Sequence, residues 1–523
     1  MGTLGPGVVA SGRFVGASGD GSGALGDGSG VVERGVGSGR GVAVWGSGVR
    51  ASGRARARGR GRGLGASQVV APRADGATLG VMFALATLVV PARLVVRGTG
   101  ISLTPADLVA LGMGLTWLAA QFVTHSGVAK GRTAARTVAS FYVAAMFACY
   151  GAANSSYLPA DERNLLDHSL VLAVAFAGVT LAVCDGVRTL DRLDTLLRWV
   201  VAGGTAAAFV GALQYLFMFD LTKYMVVPLL RYTSGDNPTM VPRGGQLRVA
   251  ATTGHPIEFG IVCTMVLPLA IHYALRARRA GEPSWPWWGS ALLLLSGMLF
   301  SVSRSGVLTL LAIGFVLLAG WPPRMRTRAL GVVAACSIAV LMIAGGLVRA
   351  IYNLFANAQA DDSITARQHR YGQAAMEISK HPIFGRGDGT WHFPAYNAFD
   401  NQYIMSMVET GVLGTTALVL LFLGGIYSAL RARGKAFSDP DTRDLALSVT
   451  ASLAAPLVGA VTFDLLSFAT ITGLTFLMVG AAGALLRITR AQELPTAVPW
   501  RVRAGNTRAA RAIRARVTPT RTP

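Results

Sequence analysis

From Leu79 to Leu486 the chain is a succession of apolar runs, each cut short by a few polar residues. Several runs reach roughly 18–22 residues, the length at which a helix crosses a bilayer. A window of about 20 residues predicts about twelve spans. They lie near 79–97, 105–123, 137–153, 165–184, 199–219, 256–275, 287–302, 305–321, 329–348, 404–430, 443–465 and 469–486. The expected architecture is all-α, a polytopic membrane helical bundle over residues 76–486.

The polar cuts carry the topology. Short basic segments occur at 124–136 (Lys130, Arg132, Arg136), 276–286, 322–328 and 431–443. With about twelve spans all four fall on one side, which positive charge makes the cytoplasmic one. The expected location is the inner (cytoplasmic) membrane, multi-pass, with both termini cytoplasmic. Two longer loops, about 220–255 and 349–403, then face outward. The second is too long for a structureless connection, so it is expected to be functional and partly helical. Within it, ARQHRYGQAAMEISKHP reads as an amphipathic helix able to act as a lid. Ala366, Tyr371, Ala374, Ala375 and Ile378 would share one face, with Arg367, Arg370 and Glu377 on the more polar side. Pro382 would end the helix. The following HPIFGRGDG (381–389) reads as a glycine-built turn whose backbone can approach a ligand. Its Arg-Gly-Asp has no weight as an adhesion signal. Its spaced glycines lack the strand and helix of a nucleotide fold.

Composition sharpens this picture. The chain is 52% hydrophobic and only 14% charged, with a formal net charge of +22. Residues 1–75 hold ten Arg against four acids, and 487–523 nine Arg against one Glu. These tails suit contact with anionic lipid. No aromatics interleave with the arginines, so nucleic acid is not an expected partner. The first 75 residues are Gly/Ser/Arg/Val low complexity, expected to be disordered and without a signal-peptide pattern. Cys149, Cys184, Cys263 and Cys336 fall inside expected spans and read as packing residues.

Several charges then stand where the charge rule does not put them. Arg231, Arg243 and Arg248 lie in the first outer loop, Arg304 at the tip of an apolar hairpin, and Arg367, Arg370 and Arg386 in the second loop. Asp107, Glu258, Glu409 and Asp464 lie near outward span ends. A charge at the membrane edge is costly unless paired or functional. Guanidinium groups match phosphate in a bidentate fork. A charged outer pocket of this kind fits a lipid-linked pyrophosphate whose isoprenoid lies in the bilayer. The arginines could then stabilise the leaving group in place of a metal. No metal cluster is evident in the sequence, and no cofactor is expected.

Three segments carry a resemblance: RVAATTGHPIEFG (248–260), the SRSG hairpin (303–306), and the outer loop running into DNQYIMSMVETGVLG (400–414). In order and spacing the chain resembles, over roughly 200–430, the O-antigen ligase and O-antigen polymerase superfamily of membrane glycosyltransferases. The resemblance implies that Arg248, Arg304 and Arg370 bind the donor pyrophosphate. It implies that Asp400 acts as general base, with His381 or His392 as alternatives. Asp400 stands where ligases carry a histidine, followed by Asn401 and by Gly411 and Gly414 in matching spacing. That departure points towards the polymerase side. Arg243, His255, Arg367, His381, Arg386, Asn401 and Glu409 complete the expected substrate-binding set. The implied partners are an undecaprenyl-pyrophosphate-type oligosaccharide, membrane lipids, and a chain-length regulator or flippase. The alternatives that stay open are a ligase acting on a lipid core, wall polymer or protein, and a multi-span transporter or flippase.

Overall fold

Fourteen helices account for the apolar runs among the described residues. The computed structural model describes residues 75–493, apart from 99–101, 124–132, 226, 234–238, 244–245, most of 344–361, 393–394 and 437–438. The expectations for the tails before 75 and after 493, for Lys130 and Arg132, and for the first part of the second outer loop lie outside these residues.

The order is α1 (Gly76–Leu88), β1 (Leu94–Val96), α2 (Pro105–Phe122), α3 (Ala134–Asn154), α4 (Ala160–Gly186) and α5 (Leu190–Phe217). The first outer loop follows, with β2 (Leu230–Tyr232), β3 (Met240–Arg243) and β4 (Gln246–Val249). Next come α6 (Pro256–Ala280), α7 (Trp285–Phe300), α8 (Arg304–Gly320), α9 (Pro323–Ile343) and α10 (Asp362–Lys380). The chain ends with α11 (Gln402–Glu409), α12 (Gly411–Lys435), α13 (Pro440–Gly459) and α14 (Ala469–Glu493).

Each expected span falls on a helix, but among the described residues five helices are long and apolar enough to cross a membrane by length and composition: α4, α5, α6, α12 and α14. Several long apolar helices make this a multi-pass membrane protein. Two expected spans are altered. The run 79–97 is helical for only 13 residues, because Pro91 cannot continue a helix and the chain turns into β1. β1 pairs antiparallel with β2, Leu94 opposite Tyr232. The run 404–430 is cut at Thr410–Gly411 into α11 and α12. The segment expected to be the first outer loop holds β2 and the antiparallel β3–β4 pair, with Val241 opposite Arg248.

α6 and α14 lie at the heart of the bundle, their apolar windows 89% and 94% buried. Lipid supplies no hydrophobic drive between helices, so close approach by small residues does the packing. Gly178 on α4 shows this: an added Cβ would sit 2.6 Å from the Cα of Gly114 on α2. Cys149, Cys184 and Cys263 are buried and Cys336 is exposed.

α10 forms where the amphipathic pattern places it and stops at Lys380, before Pro382. Its inward face differs from the expected one. Ala374 and Glu377 are buried and Ile378 partly so, while Tyr371 and Ala375 are exposed. Arg370, Ala374, Glu377 and Ile378 share the i, i+4, i+7, i+8 stripe. The two charges can face inward because each finds a polar partner there.

Candidate functional site

The break between α11 and α12 builds one wall of the site. A cut helix leaves carbonyls and N–H groups without intrahelical partners. The GRGDG loop after α10 supplies them. Arg386 N donates to Val408 O (3.0 Å) and Gly387 N to Glu409 O (2.8 Å). In return Val412 N donates to Pro382 O (3.0 Å) and Leu413 N to Ile383 O (3.1 Å). This close seating requires glycine at 385, where φ is +70° and a Cβ would lie 2.3 Å from the Glu409 carbonyl. The turn expected at 381–389 is therefore a plug fitted to a helix break.

The loop then presents Asp388, Trp391 and His392 to a cavity of about 510 Å³. Asp400, Glu409 and Asp464 line the same cavity, together with His168 and His255. His168, Leu172 and Phe176 step down one face of α4 at i, i+4 and i+8, so the cavity becomes apolar with depth. Burial pushes the Asp388 carboxyl up to about 6. Burial, and secondarily the Asp388 charge, pushes Glu409 well above the usual carboxylate range. The Glu409 carboxylate accepts from Trp391 N (3.1 Å).

Asp400 is held from two sides. Its backbone sits at φ +53°, a left-handed conformation that Asp and Asn tolerate better than most residues. Asp400 N and Asn401 N donate to the two carboxylate oxygens of Asp464, at 3.2 and 2.9 Å. Asn401 caps α11, accepting from Tyr403 N (3.0 Å) and Ile404 N (3.3 Å). The Asp400 carboxylate lies 3.7 Å from Arg370 Nη1, which donates to Ala398 O at 2.7 Å.

Other expected site residues lie elsewhere. Arg248 is buried, and its Nε donates to Ser301 O (3.1 Å) on the α7–α8 turn that leads into Arg304. Arg243 ends β3 and Arg367 lies in α10; their side chains are outside the described residues. Neither Arg248, Arg304 nor Arg370 is among the residues lining the cavity, so the three arginines do not converge on it. His255 lines it, with Nδ1 accepting from Ile257 N (3.2 Å) and the ring packed on Phe468. His381 is exposed and lines a different cavity, beside Glu377 and Lys380.

Arg386, expected to face phosphate, is instead a clamp. Its Nη2 donates to both Glu162 oxygens (2.7 and 2.8 Å) and to Tyr396 Oη (2.5 Å). Its guanidinium lies over the Tyr396 ring at 4.6 Å. Glu162, buried at the start of α4, needs that counter-charge. Truncating one partner of a buried pair costs about 3–5 kcal/mol. Arg386→Ala is therefore expected to lower the unfolding temperature and expose 381–400 to protease, while Arg386→Lys restores part of both.

Titration of the carboxyl pair gives a second expectation. Raised folded values mean that folding favours the protonated forms. Their contribution is complete below the ordinary carboxylate range and is lost as pH rises through about 6 for Asp388. Amide exchange of 385–391 is expected to be several-fold slower at pH 5.5 than at pH 8, at matched chemical exchange rates. Glu409→Gln should weaken that dependence.

Sequence reading passed over Asp388, discounted with its tripeptide, and named Asp464 only among the acids of a charged outer pocket. Asp464 binds two backbone N–H groups. His168, Glu162 and Tyr396 gave no local signal. Asp107 and Glu258 do not join the cavity. Asp107 forms a capping box with Thr104, and Glu258 accepts from Gly254 N and Ile471 N.

No curated protein matches the chain. Segment 248–260, with Arg248 and His255, lies outside the family match described next. Residues 289–419, from α7 into α12 and including Arg304, Arg370, Asp400, Asn401 and Glu409, match the family Wzy_C, O-antigen ligase.

Proposed function

We propose that the protein is an outward-facing membrane glycosyltransferase. It takes an oligosaccharide from an isoprenoid-pyrophosphate carrier and joins it to an acceptor hydroxyl, polymerising a surface polysaccharide. The observation that carries this reading is the placement of Asp400. Its carboxylate faces the cavity with Arg370 3.7 Å away, in the segment matched to the O-antigen ligase family.

The 459–464 turn supports a division of labour. On one side Thr462 Oγ1 donates to Ser305 Oγ (2.8 Å), beside Arg304. On the other, Phe463 and Asp464 line the cavity, and Asp464 holds the 400–401 turn. Donor pyrophosphate would rest at the Arg248–Arg304 hairpin and the acceptor in the cavity. The acceptor hydroxyl gives its proton to Asp400 as its oxygen attacks the anomeric carbon. The bond from that carbon to the pyrophosphate oxygen breaks, with inversion. The lipid pyrophosphate leaves with the added negative charge, which guanidinium groups stabilise without a metal. Asp400 in the place of the ligase histidine favours a lipid-linked repeat as acceptor over a lipid core.

The test is reconstitution with a lipid-linked repeat unit. Polymer and released lipid pyrophosphate are expected in equal measure with and without EDTA. Absence of turnover with any lipid-linked sugar, alongside substrate flux across the bilayer, would overturn the reading in favour of transport.

A further inference from the structure

We infer that the cavity beside Asp400 is the acceptor-sugar subsite and that it admits a non-anionic sugar, rejecting uronic or phosphorylated ends. This rests on the transfer reading for its biological role, and on the cavity itself for its selectivity.

The described lining holds four carboxyl groups, Asp388, Asp400, Glu409 and Asp464, of which burial favours the protonated form of Glu409, and neither Lys nor Arg. The nearby arginines are engaged at the edges. Arg370 is bound to Ala398 O and sits against Asp400. Arg386 is held by Glu162 and Tyr396. Arg248 is bound to Ser301 O. An anionic sugar would bring like charge into a partly desolvated pocket, where it is poorly screened. A neutral polyol meets the opposite situation. Carboxylates accept from sugar hydroxyls, and charge-assisted hydrogen bonds of this kind are strong.

Shape agrees with charge. Trp391 lines the cavity, and its ring is fixed by stacking on Tyr396 (4.4 Å between centroids) and Phe399 (5.2 Å). Trp391 Nε1 donates to Asn397 O (3.0 Å). A ring held in this way gives the cavity a rigid apolar wall, while the ionised carboxylates take the hydroxyls of a sugar. The negative donor group has its own place at the α7–α8 hairpin, so the two substrates are sorted by charge.

The experiment uses the full chain purified in detergent at pH 7.5. Binding of trisaccharides of N-acetylglucosamine, glucosamine and galacturonic acid is followed by equilibrium dialysis. The galacturonate is expected to bind at least tenfold more weakly than the neutral sugar at low salt. That gap should narrow only modestly at high salt, because charges in a partly desolvated pocket are screened less than exposed ones. It should also narrow in Asp388→Asn, checked for an unchanged elution volume. Galacturonate binding equal to or tighter than neutral sugar, or no binding of any of the three, overturns the inference. A transfer assay with the same three acceptor ends separates the two claims. Selective binding without transfer removes the enzymatic reading and leaves the subsite. Transfer at equal rates to neutral and uronic ends removes the subsite and leaves the enzyme.

Discussion

Asp400→Asn is expected to lower glycan transfer by about 10²–10⁴-fold, the usual range for loss of a general base. The fold should survive. The hydrogen bonds that fix this turn run from backbone N–H groups to Asp464, and Asn accepts the left-handed backbone at φ +53° at least as readily as Asp. The loss should appear in kcat, with KM for the lipid-linked donor little changed, because the proposed pyrophosphate site at the α7–α8 hairpin does not involve this side chain. Asp400→His restores the residue type that the resemblance associates with ligases. It should recover activity and shift the alkaline-going limb of the pH profile upward. An Asp400→Asn enzyme retaining more than a tenth of its activity would place the base elsewhere, with Asp388 and His392 the next groups on the same cavity wall.

Arg304→Ala is expected to cost roughly 10²–10³-fold in kcat and to weaken donor binding, as removal of a single charge-stabilising donor does. Arg304 opens α8, whose first turn is capped by Ser303 accepting from Gly306 N. Its neighbour Ser305 is buried and bonded to Thr462. Those contacts remain in the variant, so folded yield should be close to the parent. Arg304→Lys should be intermediate, because lysine keeps the charge and loses the planar fork. Single-turnover rates with saturating donor check this. An Arg304→Ala enzyme within threefold of the parent would remove the hairpin from the mechanism.

The helices were largely legible because bilayer-length apolar runs and the 3.6-residue period are local signals. The stop of α10 before Pro382 is of the same kind. The break at Thr410–Gly411 was not legible as a break. Ile404–Leu413 stays apolar enough to read as one span, although Glu409-Thr410-Gly411 was a signal in hindsight. Arg386 was misread for a physical reason. Its main partner Glu162 lies 224 residues away, and the nearer Glu377, at 4.0 Å, does not by itself show that the charge is held inward. Asp464, 64 residues from Asp400, is named in the sequence reading among the acids of the outer pocket, and no local signal shows that it holds the 400–401 backbone. Asp400 and Asn401 came from resemblance rather than pattern, and the structure adds what holds them. Asp388 was discounted because its tripeptide is uninformative as a motif, while its value lies in the fold of the glycine loop around it.

The plug in the helix break bears on how substrates arrive. Four backbone hydrogen bonds tie residues 382–387 to 408–413, each worth about 0.5–1.5 kcal/mol net. Lifting this segment as a hinged cover would unzip all four and strip Glu162 of its counter-charge. The segment between α10 and α11 is therefore welded to the α11–α12 break rather than hung above the site. A carrier with its tail in the bilayer would then come in sideways between helices, and the growing glycan would thread away into the water without the roof having to open.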